Sequence, residues 1–140
     1  METNNSKPLM LSTQELLVAY WPQVEPLLAS APISEEFPPE AIYRAVLAGQ
    51  MFMFAFVKET DVEMVLVFSA TPSETLPVMT VIAVAGKNLK AIADEYWEYF
   101  KGWCIMNGAR AIDAYVPDRM VKYVETLGLQ KETVHVRLRL

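Results

Sequence analysis

The sequence has very few of the residues that form covalent or metal cross-links. It contains one cysteine, Cys104, and one histidine among 140 residues. A single cysteine excludes an intrachain disulfide, and one cysteine with one histidine cannot supply the ligands of a Cys/His zinc site. We therefore expect no metal site, and the scarcity of cysteine favours a reducing compartment.

Blocks of positive charge and long apolar runs are also missing. The net charge is −5, with 12 Lys and Arg against 17 Asp and Glu, so binding to nucleic acid phosphates has little electrostatic support. The longest strongly apolar run, residues 51–57, is too short to span a bilayer. The first residues lack the charged start and apolar stretch of a signal peptide. We expect no nucleic acid partner, no membrane association and no secretion by a signal peptide.

The residues that are abundant are those of one globular core. The hydrophobic fraction is 53% and the charged fraction 21%, which is typical of a folded chain, and the length favours one domain. We expect a flexible N-terminus over residues 1–11 and a single domain over residues 12–140.

Two short helical segments are predicted near the start of that domain. Ser12 with Glu15 forms a capping-box pattern, and Pro22 and Pro26 predict two short helical pieces or a kink. Residues 40–49, which end in glycine, predict a second short helix.

Three apolar segments follow, at residues 50–57, 62–70 and 76–84. Short polar turns separate them, so we expect an antiparallel meander. Each segment is apolar almost throughout instead of alternating, which predicts that both faces of the sheet are covered.

The segment Val78–Leu129 predicts the order strand, helix, strand, helix. A turn at Gly86 leads into a long helix for which Asn88 is an available cap, and residues 111–116 form the next strand. A strand–helix–strand crossover places its two strands parallel. The last short helix ends at Gly128.

The C-terminal residues alternate strictly between apolar and polar side chains. This period of two predicts a half-buried closing strand near a sheet edge, whose inward residues are Val134, Val136, Leu138 and Leu140.

This order of elements resembles the GNAT (acyl-CoA N-acyltransferase) superfamily. Gly108–Ile112 resembles the "GA-x-x-I" entry to the fifth strand of that family, and Thr126–Leu129 resembles the "K-L-G-F" that ends its fourth helix. The resemblance covers residues 12–140. It implies an α/β (α+β) fold of three layers, in which a mixed central sheet, an antiparallel meander plus a parallel βαβ pair, is flanked by helices.

A narrower likeness points to small GNAT-like proteins of tailed bacteriophages, and hence to the virion or the host cytoplasm. The shared features are a tryptophan in the first helix, a glycine before an aromatic strand, a small residue and threonine at a strand end, tryptophans in the long helix and a basic-apolar C-terminus. The residues that carry them are Trp21, Gly49 with Met51–Phe54, Ala70–Thr71, Trp97 with Trp103, and Arg137–Leu140.

The resemblance implies a place for a cofactor at the turn before the long helix. Active GNAT enzymes have a Q/R-x-x-G-x-G/A segment there, and its small residues let the CoA pyrophosphate approach backbone N–H groups. Gly86 fits the first small position, whereas Asn88 and Lys90 stand where later glycines are expected. The candidate cofactor-binding residues are Val84, Gly86, Lys87 and Asn88, with acetyl-CoA as the cofactor of an active enzyme.

The resemblance also implies catalytic positions. The usual general acid of the family is a tyrosine four residues before the glycine of the "LG" pair, and that position is Val124. Tyr123 stands one residue earlier, about 100° away around a helix, where it acts as the acid or simply packs. A general base would be a carboxylate. The candidates for catalysis are Tyr123 as acid and Glu63 or Asp113 as base.

The departures at the turn and at the acid favour a degenerate GNAT-fold protein, a phage structural or accessory protein without catalysis and without a cofactor. In that interpretation Trp97 and Tyr99, which point away from the core face of the long helix, serve a protein partner or a second copy. The alternative is an acetyl-CoA-dependent N-acetyltransferase with an atypical CoA-binding loop. The acidic charge also allows a regulator of a host protein, although no particular residue supports one.

Overall fold

The computed structural model describes residues 6–31, 37–71, 75–87, 89–134 and 136–140. In chain order the elements are Lys7–Met10 (β1), Gln14–Ser30 (α1), Pro39–Leu47 (α2), Phe52–Lys58 (β2), Asp61–Thr71 (β3), Val78–Gly86 (β4), Leu89–Met106 (α3), Ala111–Ala114 (β5) and Val121–Thr126 (α4). A 3-10 turn, Asp118–Met120, leads into α4.

The five strands form one mixed sheet in the order β1-β2-β3-β4-β5. Neighbours from β1 to β4 are antiparallel, and β5 is parallel to β4. The α3 crossover connects that parallel pair, as the pattern strand–helix–strand predicts. The predicted fold class, a meander plus a parallel βαβ pair flanked by helices, is confirmed.

Each face of the sheet carries its own apolar core, because strand side chains alternate between faces. One face packs against α1 and α2 through small and β-branched side chains such as Ala55, Val65 and Ala83. The other packs against α3 through larger side chains, among them Phe54 and Phe68. The prediction that both faces are covered is confirmed.

The first helix is one continuous element instead of two short pieces. It begins one residue later than the capping box predicts, since the side chain of Thr13 accepts a hydrogen bond from the Leu16 N–H at 3.2 Å. Pro22 and Pro26 both lie on the exposed face of α1, where the carbonyl groups that lose a helical partner can bind water.

Within the described ranges, no helix is long and apolar enough to cross a membrane.

The prediction of a flexible segment over residues 1–11 is wrong for its second half. Lys7–Met10 pair antiparallel with β2, and Leu11 is 1% exposed. Four residues that include a proline give a weak local strand pattern, whereas the edge of β2 offers them backbone partners. Residues 1–5 lie outside the described residues.

The predicted closing strand is also wrong. Residues 129–134 and 136–140 form neither helix nor strand, and β5 is the last strand of the described sheet. The four residues predicted to face inward are 70–116% exposed. Alternation shows that one face of a segment is apolar, but a strand also needs a neighbouring edge with which to pair.

Candidate functional site

The two parallel strands of the sheet pair over only part of their length. Val78 to Val81 of β4 pair with Ala111 to Ala114 of β5, and β5 then ends while β4 continues to Gly86. On its other side β4 remains paired with β3 as far as Gly86. The last part of β4, residues 82–86, therefore has one edge with no described strand beside it.

A bulge lies where the two strands part. Val67 of β3 is opposite Ala83, whereas the next residue, Phe68, is opposite Val81, so Ile82 is an extra residue in β4. A bulge bends its strand and increases the local twist. Ile82 directly follows the last residue of β4 that pairs with β5, so the bulge coincides with the point at which the two strands part.

The opening borders a cleft with a volume of about 1540 Å³, in which Val81 and Ile82 are the lining residues of β4. Side chains of β4, α3, β5 and α4 line it, together with residues 129–134 of the C-terminal segment. The cleft follows the whole length of β5, from Ala111 to Ala114. Its polar side chains carry both signs of charge and include Arg110, Asp113, Asp118, Arg119 and Glu125.

The two candidate bases lie in different places. Asp113 is exposed on β5, opposite Thr80, and lines the cleft. Glu63 is half-buried near the start of β3 and does not line it. Its backbone carbonyl accepts a hydrogen bond from the Lys87 N–H at 2.9 Å. Of the two candidates, Asp113 is the one that lines the cleft.

The candidate acid, Tyr123, is bound to α3. Its hydroxyl donates a hydrogen bond to Asp94 Oδ1 at 2.8 Å, and the Nζ atom of Lys90 lies 5.7 Å from the ring centroid. Burial, followed by the hydrogen bond and the charge of Asp94, raises the pKa of Tyr123 to about 12. A general acid works best with a pKa near the operating pH, so this hydroxyl is a poor proton donor.

The neighbouring residue, Val124, does line the cleft, whereas Tyr123 does not. Val124 is the position that the resemblance gives to the family's acid, and it holds an aliphatic side chain. Cys104 also reaches the cleft wall but is 1% exposed. Burial raises the pKa of its thiol to about 11, so the thiolate needed for nucleophilic attack is scarce at neutral pH.

Gly86 has a structural explanation that involves no ligand. A Cβ atom at this position would lie 2.6 Å from the carbonyl oxygen of Glu63 and 3.0 Å from Cα of Met64. Contacts under 3.0 Å with backbone atoms require the backbone to move. The end of β4 therefore needs a glycine in order to stay beside β3, whether or not a phosphate also approaches it.

The other cofactor candidates are spread over several environments. Val84 is half-buried and packs against the apolar core on the α3 side. Lys87 is exposed at the end of β4, and Asn88 lies outside the described residues. Lys90 is exposed in the first turn of α3, so positive side chains stand on both sides of the turn.

The two aromatic residues predicted to form a docking surface differ in environment. Trp97 is half-buried, packs against Phe100 and donates its Nε1–H to the Leu127 carbonyl at 2.8 Å. Tyr99 is 45% exposed, with its ring edge against Phe54. Trp97 thus joins α3 to the end of α4, and Tyr99 presents more surface to a partner.

Sequence reasoning missed two features of the cleft. The bulge at Ile82 has no local signal, because isoleucine is an ordinary strand residue. Tyr115, which follows β5 directly and lines the cleft, was not considered. The sequence predicts one strand over residues 111–116, so it gives no signal that β5 ends at Ala114 and leaves Tyr115 beyond it.

Comparisons with known proteins agree on the architecture. No protein-family model matches the sequence, and no curated protein matches it significantly. Among solved structures, a ribosomal-protein-alanine N-acetyltransferase from Brucella melitensis biovar Abortus 2308 matches with a TM-score of 0.72 and 13% identity, over 96% of this chain and 99% of that one. An aminoglycoside acetyltransferase from an uncultured soil metagenomic sample, in complex with sisomicin, gives 0.71 and 12%, over 98% and 97%.

A third structure, an aminoglycoside N-acetyltransferase in complex with CoA, matches with a TM-score of 0.63 and 12% identity, over 100% of this chain and 99% of that one. These acetyltransferases contradict the prediction of a non-catalytic phage structural or accessory protein and favour the acetyltransferase alternative. They lend no support to a phage or virion origin. At such identities the likeness establishes the fold, and the chain has the fold of the GNAT acetyltransferases.

Proposed function

We propose that this chain is an acyl-CoA-dependent N-acyltransferase, with acetyl-CoA as donor and an amine as acceptor. The observation that carries the proposal is the opening between β4 and β5, where β4 continues past the end of β5 and Ile82 lines a cleft of about 1540 Å³. Two of the acetyltransferases of similar fold act on amine-bearing molecules, an aminoglycoside and a protein alanine, which supports an amine acceptor.

The unpaired edge of β4 suits the pantetheine arm of CoA. That arm is an extended chain with amide groups, and an extended chain adds to an exposed strand edge through backbone hydrogen bonds. Residues 82–86 have N–H and C=O groups for this pairing on the side where β5 has ended. An arm bound along this edge would point its thioester into the cleft.

The turn before α3 suits the pyrophosphate of acetyl-CoA less well than the edge of β4 suits the pantetheine arm. Asn88 and Lys90 occupy positions at which the resemblance implies small residues. Their side chains disfavour a close approach of the pyrophosphate to the backbone N–H groups. Lys87 and Lys90 instead supply positive charge beside the start of α3, whose N-terminus also favours anions. Attraction between exposed charges is screened by salt, and we therefore expect affinity for the donor to fall as ionic strength rises.

The chemistry that acetyl-CoA supplies when bound is a thioester carbonyl open to attack by an amine. Asp113, exposed on the cleft wall, takes a proton from the acceptor amine, directly or through a water molecule, and so keeps its nitrogen lone pair available. Val124 has no proton to give. Protonation of the leaving sulfur therefore depends on water, because Tyr123 is held by Asp94 outside the cleft.

Calorimetric titration with acetyl-CoA, followed by a thiol-release assay with a panel of amines, tests the proposal. We expect a micromolar dissociation constant and turnover with at least one amine. ADP, which has the pyrophosphate but no pantetheine arm, is the matched control ligand and should bind much more weakly. Absence of binding at millimolar acetyl-CoA would contradict the proposal.

A further inference from the structure

A glutamine of the first helix bonds to the backbone at the tip of the β2–β3 hairpin. The side chain of Gln23, half-buried on α1, donates a hydrogen bond from Nε2 to the Thr60 carbonyl at 2.9 Å. Its Oε1 accepts a hydrogen bond from the Val62 N–H at 2.8 Å. One side-chain amide thus binds a backbone acceptor and a backbone donor that lie 37 and 39 residues further along the chain.

The hairpin tip has an unfavourable backbone conformation that outside contacts can stabilise. Lys58 pairs with Asp61, so the turn between the strands has only two residues. The first of them, Glu59, has a φ of 58°, and a glutamate rarely adopts this left-handed conformation. The hydrogen bonds to Gln23 therefore hold a tip that the hairpin alone would hold poorly.

A bulge in β3 lies directly beside this tip. Val57 of β2 is opposite Val62, whereas the preceding residue, Phe56, is opposite Met64. Glu63 is therefore an extra residue in β3. Val62 and Met64 consequently belong to the cores on opposite faces of the sheet, although residues two apart in a regular strand share a face. The bulge is what places Val62 on the face that packs against α1.

The bulged residue is also the neighbour of the turn before α3. The carbonyl of Glu63 accepts a hydrogen bond from the Lys87 N–H at 2.9 Å, and it would lie 2.6 Å from a Cβ atom at Gly86. The position of the turn at residues 86 and 87 therefore depends on the position of this carbonyl. Because Val62 and Glu63 are consecutive, hydrogen bonds of 2.8 and 2.9 Å connect the side chain of Gln23 to the turn.

We propose that Gln23 is a positioning residue for the turn at Gly86 and Lys87, and through that turn for the acyl donor. Gln23 does not line the cleft; it acts by fixing Val62 and hence the Glu63 carbonyl. The part of this inference that concerns the donor rests on the proposed function, in which Lys87 attracts the pyrophosphate. Loss of the Gln23 amide should therefore weaken donor binding and leave the transfer step unaltered.

Amide NMR of the full chain without ligand tests the connection. Gln23→Met keeps the approximate size of the side chain and removes both hydrogen bonds. We expect the amide resonances of Val62 and Lys87 to move in this variant, because a chemical shift reports local geometry in the folded state and not stability. Gln14→Met, at an exposed glutamine of the same helix, is the matched control and should move neither. A Lys87 resonance that stays in place while that of Val62 moves would overturn the proposal.

Steady-state kinetics measures the consequence for the donor. In Gln23→Met the KM for acetyl-CoA should rise about tenfold with kcat unchanged, as expected for the loss of a binding contribution worth about one hydrogen bond. Gln23→Glu, whose carboxylate can still accept the Val62 N–H, should return the KM to within about threefold of the wild-type value. A variant that is only less stable would lose active enzyme and hence kcat. An unchanged KM, or a fall in kcat alone, would overturn the proposal.

The wild-type chain provides a test that does not depend on how the variants fold. Coupling between two sites is reciprocal, so saturating acetyl-CoA should move the side-chain amide resonances of Gln23 as well as the Lys87 resonance. Movement at Lys87 without movement at Gln23 would overturn the proposal. If acetyl-CoA does not bind, the proposed function is wrong, and the Lys87 resonance of ligand-free Gln23→Met decides whether Gln23 positions the turn.

Discussion

The two edges of β4 show how one strand can serve both stability and ligand binding. On the side of β3, β4 is paired from Val78 to Gly86, with only a bulge at Ile82. On the side of β5 the pairing stops at Val81, and the next residue, Ile82, lines the cleft. The closed edge holds the longer part of the strand in place, so the open edge can keep unpaired backbone groups without loss of the sheet.

The difference between the edges arises from two residues. Ile82 adds one residue to β4 where its pairing with β5 ends, and a bulge bends the strand that carries it. Gly86 lets the far end of the bent strand approach Glu63 and Met64 closely enough to stay paired with β3. The following predictions test the open and closed edges separately, in order of decreasing effect.

The largest effect is expected in the cleft beside the open edge, from Asp113→Asn. An amide cannot accept the acceptor's proton as a carboxylate does, so kcat/KM should fall by about a hundredfold, at the low end of typical general-base effects. Stability and acetyl-CoA affinity should change little, because the side chain is exposed. Steady-state kinetics measures the loss. Glu63→Gln is the control, since Glu63 does not line the cleft; equal losses in the two variants would contradict the assignment.

The closed edge is tested by a pair of glycine variants. Gly86→Ala should lower the free energy of unfolding by about 2 kcal/mol, because the added methyl group overlaps the β3 backbone. Gly102→Ala lies within α3 with nothing within 4 Å of its Cβ position, and should raise that free energy by about 0.5–1 kcal/mol. Urea unfolding measures both. If the two variants behave alike, the close approach of β4 to β3 is not what requires Gly86.

Because Val124 cannot donate a proton, a variant that supplies an acid at this position should gain activity. Val124→Tyr places a phenol on the cleft wall, at the position that the GNAT resemblance assigns to the general acid, and should raise kcat by about tenfold. Val121→Tyr, one helical turn earlier and also on the cleft wall, is the matched control and should give no increase. The same thiol-release assay distinguishes them, and a gain in both variants would point to tighter packing instead of proton donation.

The smallest effect is expected from Tyr123→Phe, which acts outside the cleft. Loss of the hydrogen bond to Asp94 should cost about 0.5 kcal/mol of stability and leave kcat unchanged. The pKa of Tyr123 is raised in the folded chain from 10.0 to about 12, so its contribution to stability is fully present below pH 10 and is lost as the pH rises to 12. Urea unfolding at several pH values should show that the difference in free energy of unfolding between the wild type and Tyr123→Phe decreases between pH 10 and pH 12. A constant difference up to pH 12 would contradict the shift.

The order of strands and helices could be predicted because each element has a strong local pattern. The runs around Phe54 and Val65 are apolar on both faces, and the crossover through α3 leaves little choice for the direction of β5. The predictions for the two ends of the chain were wrong for opposite reasons. Lys7–Met10 form a strand despite a weak pattern, because β2 offers them an edge. The C-terminal segment has a strong pattern, yet Val134 and residues 136–140 belong to no strand of the described sheet.

The candidate site could be predicted less well, and for physical reasons. Asp113 was placed on the correct strand, but the sequence cannot show that β5 stops before β4 does. Gly86 was interpreted as a phosphate turn because a close ligand and a close backbone both exclude a Cβ atom. Only the structure shows that β3 is the close neighbour. The one-residue offset between Val124 and Tyr123 likewise decides which of them faces the cleft.

Hydrogen exchange of the β4 amides, with and without acetyl-CoA, tests the central claim most directly. If the open edge holds the pantetheine arm, the amides of residues 82–86 that do not bond to β3 should become protected when acetyl-CoA is added. Amides of Val78–Val81, already paired with β5, should not change. Saturating acetyl-CoA that leaves the exchange of residues 82–86 unaltered would contradict the account.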